Sequence, residues 1–327
     1  MEKRHQIRCI FEDGRTVVVR ATEGDTLYAA ALRQGTRLLT DCREGACATC
    51  FARCVSGSFW HGDISEEALG TEAASGGVLP CQLHLTSDAV VEFPYTLEDA
   101  RPELTRTARI LATEQVAQDV FRLAVALAEP FDFLPGQYVR LAVPGTNATR
   151  AYSMANRAGA AELEFFVRLL PGGAMSTWLR ERAGPGDPLD LTGPFGRFYL
   201  RPTTGQRVMV AGGTGLAPML AMLESLAADE GHTGTGTTLL YGVNDPRELF
   251  GVERVMEIVP NIDLRLSVLH PSPDWQGETG YVTDLLTGLP VSGADVYLCG
   301  PPPMIDAAQA SLSGQDCRVF AERFLPA

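Results

Sequence analysis

Apolar and polar residues alternate at 7–11 and again at 16–20, on either side of Glu12-Asp13-Gly14. Period-two alternation across an Asp-Gly turn predicts a β-hairpin. Residues 26–34 are alanine-rich and stop at Gly35, the mark of a short helix. Strand patterns at 52–56 and 89–93 complete a small β-grasp unit of the α+β kind. From Pro94 to Pro102 the chain is charged and bracketed by prolines, which predicts a linker. Strand patterns follow at 109–113, 120–127, 137–143, 162–170 and 189–191, with one helix at 175–182. Their closely spaced turn signals predict an antiparallel β-barrel. Strands at 207–211, 238–243, 263–269, 295–299 and 318–321 then alternate with helices at 218–228, 248–259, 282–289 and 304–312. Such alternation predicts an α/β parallel sheet with helices on both faces. The fold class is multidomain, with domains expected at 1–99, 100–202 and 203–327.

The first chemistry to stand out is Asp41-Cys42-Arg43-Glu44-Gly45-Ala46-Cys47-Ala48-Thr49-Cys50, completed by Cys81. Cys-x4-Cys-x2-Cys followed by a distant cysteine is the ligand spacing of a plant-type 2Fe-2S cluster. Three ligands within nine residues wrap the backbone tightly, and Gly45, Ala46 and Ala48 keep the wrap free of bulk. Amide N–H groups can then point at the sulfurs, and Thr49 can add a hydroxyl. A structural zinc site wants two closely spaced cysteine pairs, and only one is present. Cys81-x2-His84 hints at a Rieske centre, but no upstream Cys-x-His exists. Nothing marks the chain as secreted, which disfavours disulfides. Cys9, Cys54 and Cys317 read as buried apolar residues.

Composition alters this picture little: 45% hydrophobic, 20% charged, net charge −13. The acidity argues against nucleic acid or an anionic membrane as partner. Residues 1–99 carry 15 Asp/Glu against 9 Lys/Arg, an excess that either docks a basic partner or only keeps the unit in solution. No apolar run approaches a membrane span, and the start has no signal-peptide core. The expectation is a cytoplasmic protein.

Three motifs remain. The strand pattern Val208-Met209-Val210-Ala211 runs into Gly212-Gly213-Thr214-Gly215-Leu216-Ala217-Pro218 and a helix. Glycines at such a turn let the backbone approach a pyrophosphate, although a plain tight turn has the same look. No Gly-Lys-Ser/Thr follows, so it is not an NTPase phosphate loop. Arg150-Ala151-Tyr152-Ser153 offers a phosphate partner, a stacking ring and a hydroxyl, or is an ordinary surface strand. Tyr297-Leu298-Cys299-Gly300-Pro301 ends a strand at the ligand-binding edge of the sheet. No histidine is near Cys299 in sequence, so packing is favoured there over nucleophilic chemistry.

Taken in order, these motifs resemble the ferredoxin–NADP reductase-like electron-transfer family. The likeness is greatest to the NADH-dependent reductase components of benzoate, toluate and anthranilate 1,2-dioxygenases. It extends through Phe133-Leu134-Pro135-Gly136-Gln137-Tyr138-Val139 and Leu191-Thr192-Gly193-Pro194-Phe195-Gly196. The resemblance implies FAD, a 2Fe-2S cluster and NADH as cofactors, with Cys42, Cys47, Cys50 and Cys81 as metal ligands. It implies that Arg150 contacts the flavin phosphates, Tyr152 lies against the isoalloxazine, and Ser153 approaches its N5. Gly173, Met175 and Ser176 would hold the flavin pyrophosphate. Gly213, Thr214 and Gly215 would hold the nicotinamide nucleotide phosphates. Cys299 and Gly300 would border the nicotinamide, with Glu322 and Phe324 beside the flavin. Ser153, Cys299 and Glu322 are the residues expected at the reacting atoms.

Two departures stand out. Ala48 replaces a glycine frequent in close relatives, which predicts strain in the loop. His270-Pro271 replaces the Ser-Arg of NADP-specific members, and Asp245 opposes a 2′-phosphate; both favour NADH, with Arg247 pulling the other way. The function expected is electron transfer from NADH through FAD and the cluster to a Rieske-type terminal oxygenase, by a monomer. The alternatives are the reductase of a diiron monooxygenase and a non-enzymatic iron–sulfur or zinc binding module.

Overall fold

Strand β1 (Arg4–Phe11) pairs antiparallel with β2 (Thr16–Thr22), as the alternation predicts. Phe11 N–H donates to Arg15 O at 2.9 Å across the turn. This computed structural model describes residues 3–203, 205–230 and 232–324. Backbone contacts divide the chain into two units, residues 1–103 with 194–197, and residues 104–193 with 198–327.

In the first unit β1 buries His5, Ile7, Cys9 and Phe11 along one face. Helix α1 (Leu27–Arg33) starts where the Thr26 hydroxyl accepts the Ala29 N–H at 3.2 Å. Strands β3 (Ala52–Ser56) and β4 (Phe59–His61), helix α2 (Glu66–Leu69), and strands β5 (Gly77–Val78), β6 (Leu83–Leu85) and β7 (Ala89–Phe93) follow. The main sheet runs β2-β1-β7-β3-β5, with β1 parallel to β7, and β4–β6 form a separate ribbon. A mixed sheet with one main helix is the expected β-grasp. The stretch expected as a linker is partly core. Tyr95 is fully buried, edge-on to Phe93 at 5.4 Å, and its hydroxyl accepts the Leu39 N–H. Thr96 and Asp99 then cap a 3-10 turn at Leu97–Asp99. Of the three scattered cysteines expected inside, Cys9 is buried, while Cys54 and Cys317 are half-buried.

The second unit opens with β8 (Leu104–Ala117), β9 (Val120–Ala126), β10 (Tyr138–Ala142), β11 (Thr149–Ser153) and β12 (Glu162–Arg168). Helix α3 (Ala174–Glu181) and β13 (Pro188–Phe195) follow. These strands form one antiparallel sheet, β11-β10-β13-β8-β9-β12. Its two edges meet just past β11, where Ala155 N–H donates to Glu164 O at 2.8 Å, closing the barrel. Strand β8 is much longer than the expected 109–113. Its first half pairs with β13 and its second half with β9, changing partner at Arg109. Its exposed Thr, Arg and Glu positions hide that length from a hydrophobicity pattern.

Strands β14 (Arg207–Gly212), β15 (Thr237–Val243), β16 (Asp263–Val268), β17 (Glu278–Thr279), β18 (Asp295–Gly300) and β19 (Arg318–Arg323) make a parallel sheet ordered β17-β16-β15-β14-β18-β19. Met209 and Ala211 of β14 pack with Leu220 and Leu223 of α4 (Leu216–Glu230) and Val255 of α5 (Val252–Ile258). Val208 and Val210 face the other way, onto Ile305 and Ala308 of α6 (Pro302–Leu312). Both faces are therefore covered, which is why β14 and β18 are buried almost continuously rather than at alternate residues. Two helix expectations need correcting. The helix expected at 248–259 is only α5, because Gly251 at φ +69° breaks it from the 3-10 turn Pro246–Glu248. The helix expected at 282–289 is a 3-10 turn, Val282–Leu286, stopped before Gly288 at φ +82°. Arg254 ties α5 to the rest of the unit: its guanidinium bonds Glu164 on β12 and reaches Glu224 on α4 at 2.6 Å. No helix among the described residues is long and apolar enough to cross a membrane.

Candidate functional site

The four cysteines of the motif come together between the start of α1 and the β4–β6 ribbon. They are grouped two and two. Cys42 interacts most strongly with Cys47, and Cys50 with Cys81. Among the described residues no three Cys, His, Asp or Glu side chains converge on a point for a single ion. Glu44 and Cys47 N–H groups donate to Cys42 Sγ, each at 3.4 Å. The facing Cys47 thiol, helped by the N–H groups of Glu44, Ala46 and Cys47, draws the Cys42 thiol down to about 5. Cys81 is drawn down by the Cys50 thiol and by the Gly45 N–H. Thr49 bonds Cys47 through both its hydroxyl and its main chain. Tyr28, Phe51, Ile64, Leu69 and Leu79 wall the group with apolar surface. Thiol pairs, inward N–H donors and a dry wall suit a thiolate-ligated two-iron cluster.

The backbone here is unusual. Gly45 has φ +71°, and a Cβ on it would lie 2.6 Å from Asp63 O. Arg43 at φ 60° and Ala48 at φ 55° are, among the described residues, the two non-glycines in the left-handed region. The strain expected at Ala48 is therefore visible as a left-handed alanine.

In the second unit Arg150, Tyr152 and Ser153 lie along β11, paired with β10. Ser153 is buried, Tyr152 is half-buried, and burial pushes the Tyr152 phenol up to about 12. Arg150 makes only a local bond, Nη1 to Thr149 O at 2.9 Å. Gly173 caps α3 with no side chain over the helix start. Met175 packs into the barrel core, and the Ser176 hydroxyl accepts the Leu170 N–H at 2.8 Å. These two side chains are engaged in the fold, so α3 offers a ligand its main-chain N–H groups.

Gly213, Thr214 and Gly215 form a 3-10 turn between β14 and α4. Gly215 is pressed against the end of β18, where a Cβ would sit 2.1 Å from Cys299 O. The Gly213–Gly215 turn and the Cys299–Gly300 strand end thus touch backbone to backbone. The Cys299 thiol points into the core beside Met209 and Tyr297, fully buried, and burial raises it well above the usual thiol range. Its main chain, not its sulfur, faces the loop. Glu322 pairs in register with Cys299, and Phe324 N–H donates to Gly300 O at 2.9 Å. Beside Gly213 and Thr214 opens a small cavity lined by Asp119, Arg168 and Glu248, with Arg168 and Glu248 3.6 Å apart. The motif reading missed these three. They come from strand ends and turns distant in sequence, and no local pattern marks them.

Family models match along the whole chain: a 2Fe-2S iron-sulfur cluster binding domain over 10–86, an oxidoreductase FAD-binding domain over 107–199, and an oxidoreductase NAD-binding domain over 209–310. The anthranilate 1,2-dioxygenase electron transfer component of Acinetobacter baylyi is 37% identical, over 98% of this chain and 97% of its own. The 2-halobenzoate 1,2-dioxygenase electron transfer component of Burkholderia cepacia is 35% identical, over 98% of each. Among solved structures, a cytochrome P450 reductase from Amycolatopsis superposes with a TM-score of 0.72 at 33% identity, covering 98% of this chain and 99% of that one. This chain belongs to the family of ferredoxin-bearing electron transfer components, oxidoreductases that bind a 2Fe-2S cluster, FAD and NAD.

Proposed function

We propose that the chain passes electrons from NADH to the Rieske-type terminal oxygenase of an aromatic-acid 1,2-dioxygenase system, as a cytoplasmic monomer without nucleic-acid or membrane partners. The names of the anthranilate and 2-halobenzoate relatives support a dioxygenase as acceptor. The observation that carries the reading is the cysteine-rich loop itself, with Glu44 and Cys47 N–H groups aimed at Cys42 Sγ and with Cys50 and Cys81 buried in one apolar cluster. When bound, NADH would supply a hydride, FAD would convert two electrons to single ones, and a plant-type cluster would offer a potential of about −400 mV for passing them on.

The chain's own residues position these groups. The four thiolates hold the irons, and the N–H groups aimed at Cys42 and Cys81 offset their charge. Arg150 would hold the flavin phosphates, Tyr152 would support the ring, and Ser153 would offer its hydroxyl to N5. Main-chain N–H groups at Gly173–Ser176 take the pyrophosphate. Gly213, Thr214 and Gly215 do the same for NADH, and the main chain at Cys299 and Gly300, with Glu322 and Phe324, borders the reacting rings. No side chain has to gain or lose a proton. Asp245 holds two side-chain nitrogens of Arg247, each at 2.8 Å, which keeps that cation from a 2′-phosphate and supports NADH over NADPH.

Anaerobic titration with NADH tests the reading. Flavin and cluster absorption should bleach together, and a spin-resonance signal of a reduced 2Fe-2S centre should grow. Purified protein without iron and acid-labile sulfide would refute it.

A further inference from the structure

The β4–β6 ribbon turns one face outward. Trp60 and His84 are rung partners on it, their rings stacked at 4.0 Å and 5°. On the other side Leu83 and Leu85 are buried. Trp60 keeps 50% of its surface exposed. An indole already held flat on an imidazole has little rotamer freedom left to lose. A rigid, half-exposed tryptophan is the kind of anchor that dominates protein interfaces.

The ribbon is fastened to the cysteine segments. Leu79 N–H donates to His61 Nε2 at 3.3 Å, and Gly62 N–H to Gln82 O at 2.9 Å. Gln82 Nε2 reaches Arg43 O at 2.9 Å. Anything seated on Trp60 is therefore coupled to main chain on both sides of the cluster ligands.

Charge defines the occupant. Thr26 bridges to His84, which brings the segment carrying Glu23 beside the ribbon. Glu23 and Asp88 flank His5 at 3.5 and 4.0 Å, and their side chains are 53% and 75% exposed. Asp63, two residues past β4, and Glu44 are exposed as well. The basic residues nearest in the chain are already engaged, Arg43 by Glu103 at 2.7 Å and Arg53 by Glu72 at 3.1 Å. A half-exposed aromatic anchor rimmed by open carboxylates complements a cationic surface with an apolar recess.

We infer that the outward face of β4–β6, centred on Trp60, is where a cationic electron-acceptor protein seats to draw electrons from the cluster. This rests on the electron-transfer reading above. Small, weakly buried contacts are typical of redox encounters, so one aromatic anchor can carry much of the affinity. The carboxylates act mainly on the rate of encounter.

Cytochrome c, a basic haem protein, serves as the probe, with ferricyanide as the small-anion control on the full holo chain. NADH reduces two ferric cytochromes to ferrous, yielding NAD+ and one proton. Trp60→Ala should lower kcat/KM for cytochrome c about tenfold, the scale of an interface anchor. The loss should fall on KM, with ferricyanide reduction and cluster absorption unchanged, and Trp60→Phe should restore most of it. Asp63→Asn should cost less and flatten the ionic-strength dependence. An unchanged cytochrome c rate in Trp60→Ala overturns the proposal and leaves the electron-transfer reading standing. If Trp60→Ala loses iron, Glu23→Gln and Asp63→Asn decide, and unchanged rates in both overturn it. Wild-type protein that reduces neither acceptor from NADH defeats the underlying reading instead.

Discussion

The chain has two ligand loops rich in small residues, and they use glycine for different reasons. In the cluster loop backbone conformation is the constraint. Gly45 sits at φ +71°, and so, against their intrinsic preference, do Arg43 at φ 60° and Ala48 at φ 55°. In the loop proposed for the nucleotide, space is the constraint at Gly215, while Gly213 is set by its own φ of +54°. Gly215 has no positive φ, yet any side chain there would collide with Cys299 O at 2.1 Å. Left-handed non-glycine residues persist only where the surroundings over-determine them. Four thiolates drawn onto one cluster, as proposed for Cys42, Cys47, Cys50 and Cys81, would do so, because metal binding is coupled to folding. A dinucleotide that comes and goes supplies no such constant hold, so its loop is built without strained non-glycine positions. The comparison teaches that a resident group can hold a loop in a conformation its sequence disfavours, whereas a transient one needs a loop already at rest.

Removing the cluster is the most severe way to test that contrast. Cys50→Ala should leave the protein without iron and acid-labile sulfide. Cytochrome c reduction from NADH should fall at least about a hundredfold, beyond the range of changes outside the ligand set. Flavin bleaching by NADH should persist, because FAD and NAD are bound in the second unit. Iron analysis and stopped-flow absorbance read both halves. A variant that kept its iron would show that the four-thiolate assignment is wrong.

Gly215→Ala comes next. The carbonyl it meets is main chain and cannot rotate away, so about 1–3 kcal/mol of destabilisation is expected, as for other overpacked sites. Thermal unfolding should report it, with slower flavin reduction by NADH and cluster absorption intact. Gly213→Ala is the internal control. Gly213 has φ +54° with only an Arg168 nitrogen at 3.8 Å, so its cost should be about 1–2 kcal/mol, from backbone alone. If Gly213→Ala proves as harmful as Gly215→Ala or more so, crowding is not what reserves Gly215 for glycine.

The same contrast explains what the sequence revealed. The cluster loop was legible because thiolate chemistry demands fixed spacing, and the three-part fold was legible because hydrophobic period changes with architecture. Ala48 stood out as a misfit before its φ was known. The role of Gly215 was legible only as part of a glycine pattern, since its collision partner, Cys299, is far away in the chain. The Ser176 hydroxyl closes the turn at Leu170, a contact no spacing rule contains. Gly251 and Gly288 broke two expected helices because their apolar flanks kept the helical period while their φ did not. The β4–β6 ribbon escaped notice altogether: three residues per strand are too few for alternation to register, and Trp60 meets His84 only through the fold.

The smallest expected effect bears on the comparison most directly. Ala48→Gly relieves a left-handed alanine, worth about 1–2 kcal/mol in the folded loop. Glycine's extra freedom when unfolded gives back about 0.5–1 kcal/mol. A net gain of roughly 0.5–1 kcal/mol should remain, seen as slower loss of cluster absorption in denaturant. The sign of this effect alone does not separate the two explanations, because any left-handed alanine gains from glycine. The Cys50→Ala background separates them. If the cluster imposes the conformation, the loop without it is free to carry Ala48 back to an ordinary φ, and the gain should vanish in the double variant, measured by chemical unfolding. If the gain survives there undiminished, the polypeptide itself enforces the left-handed turn, and the contrast between a loop held by its ligand and a loop at rest does not hold.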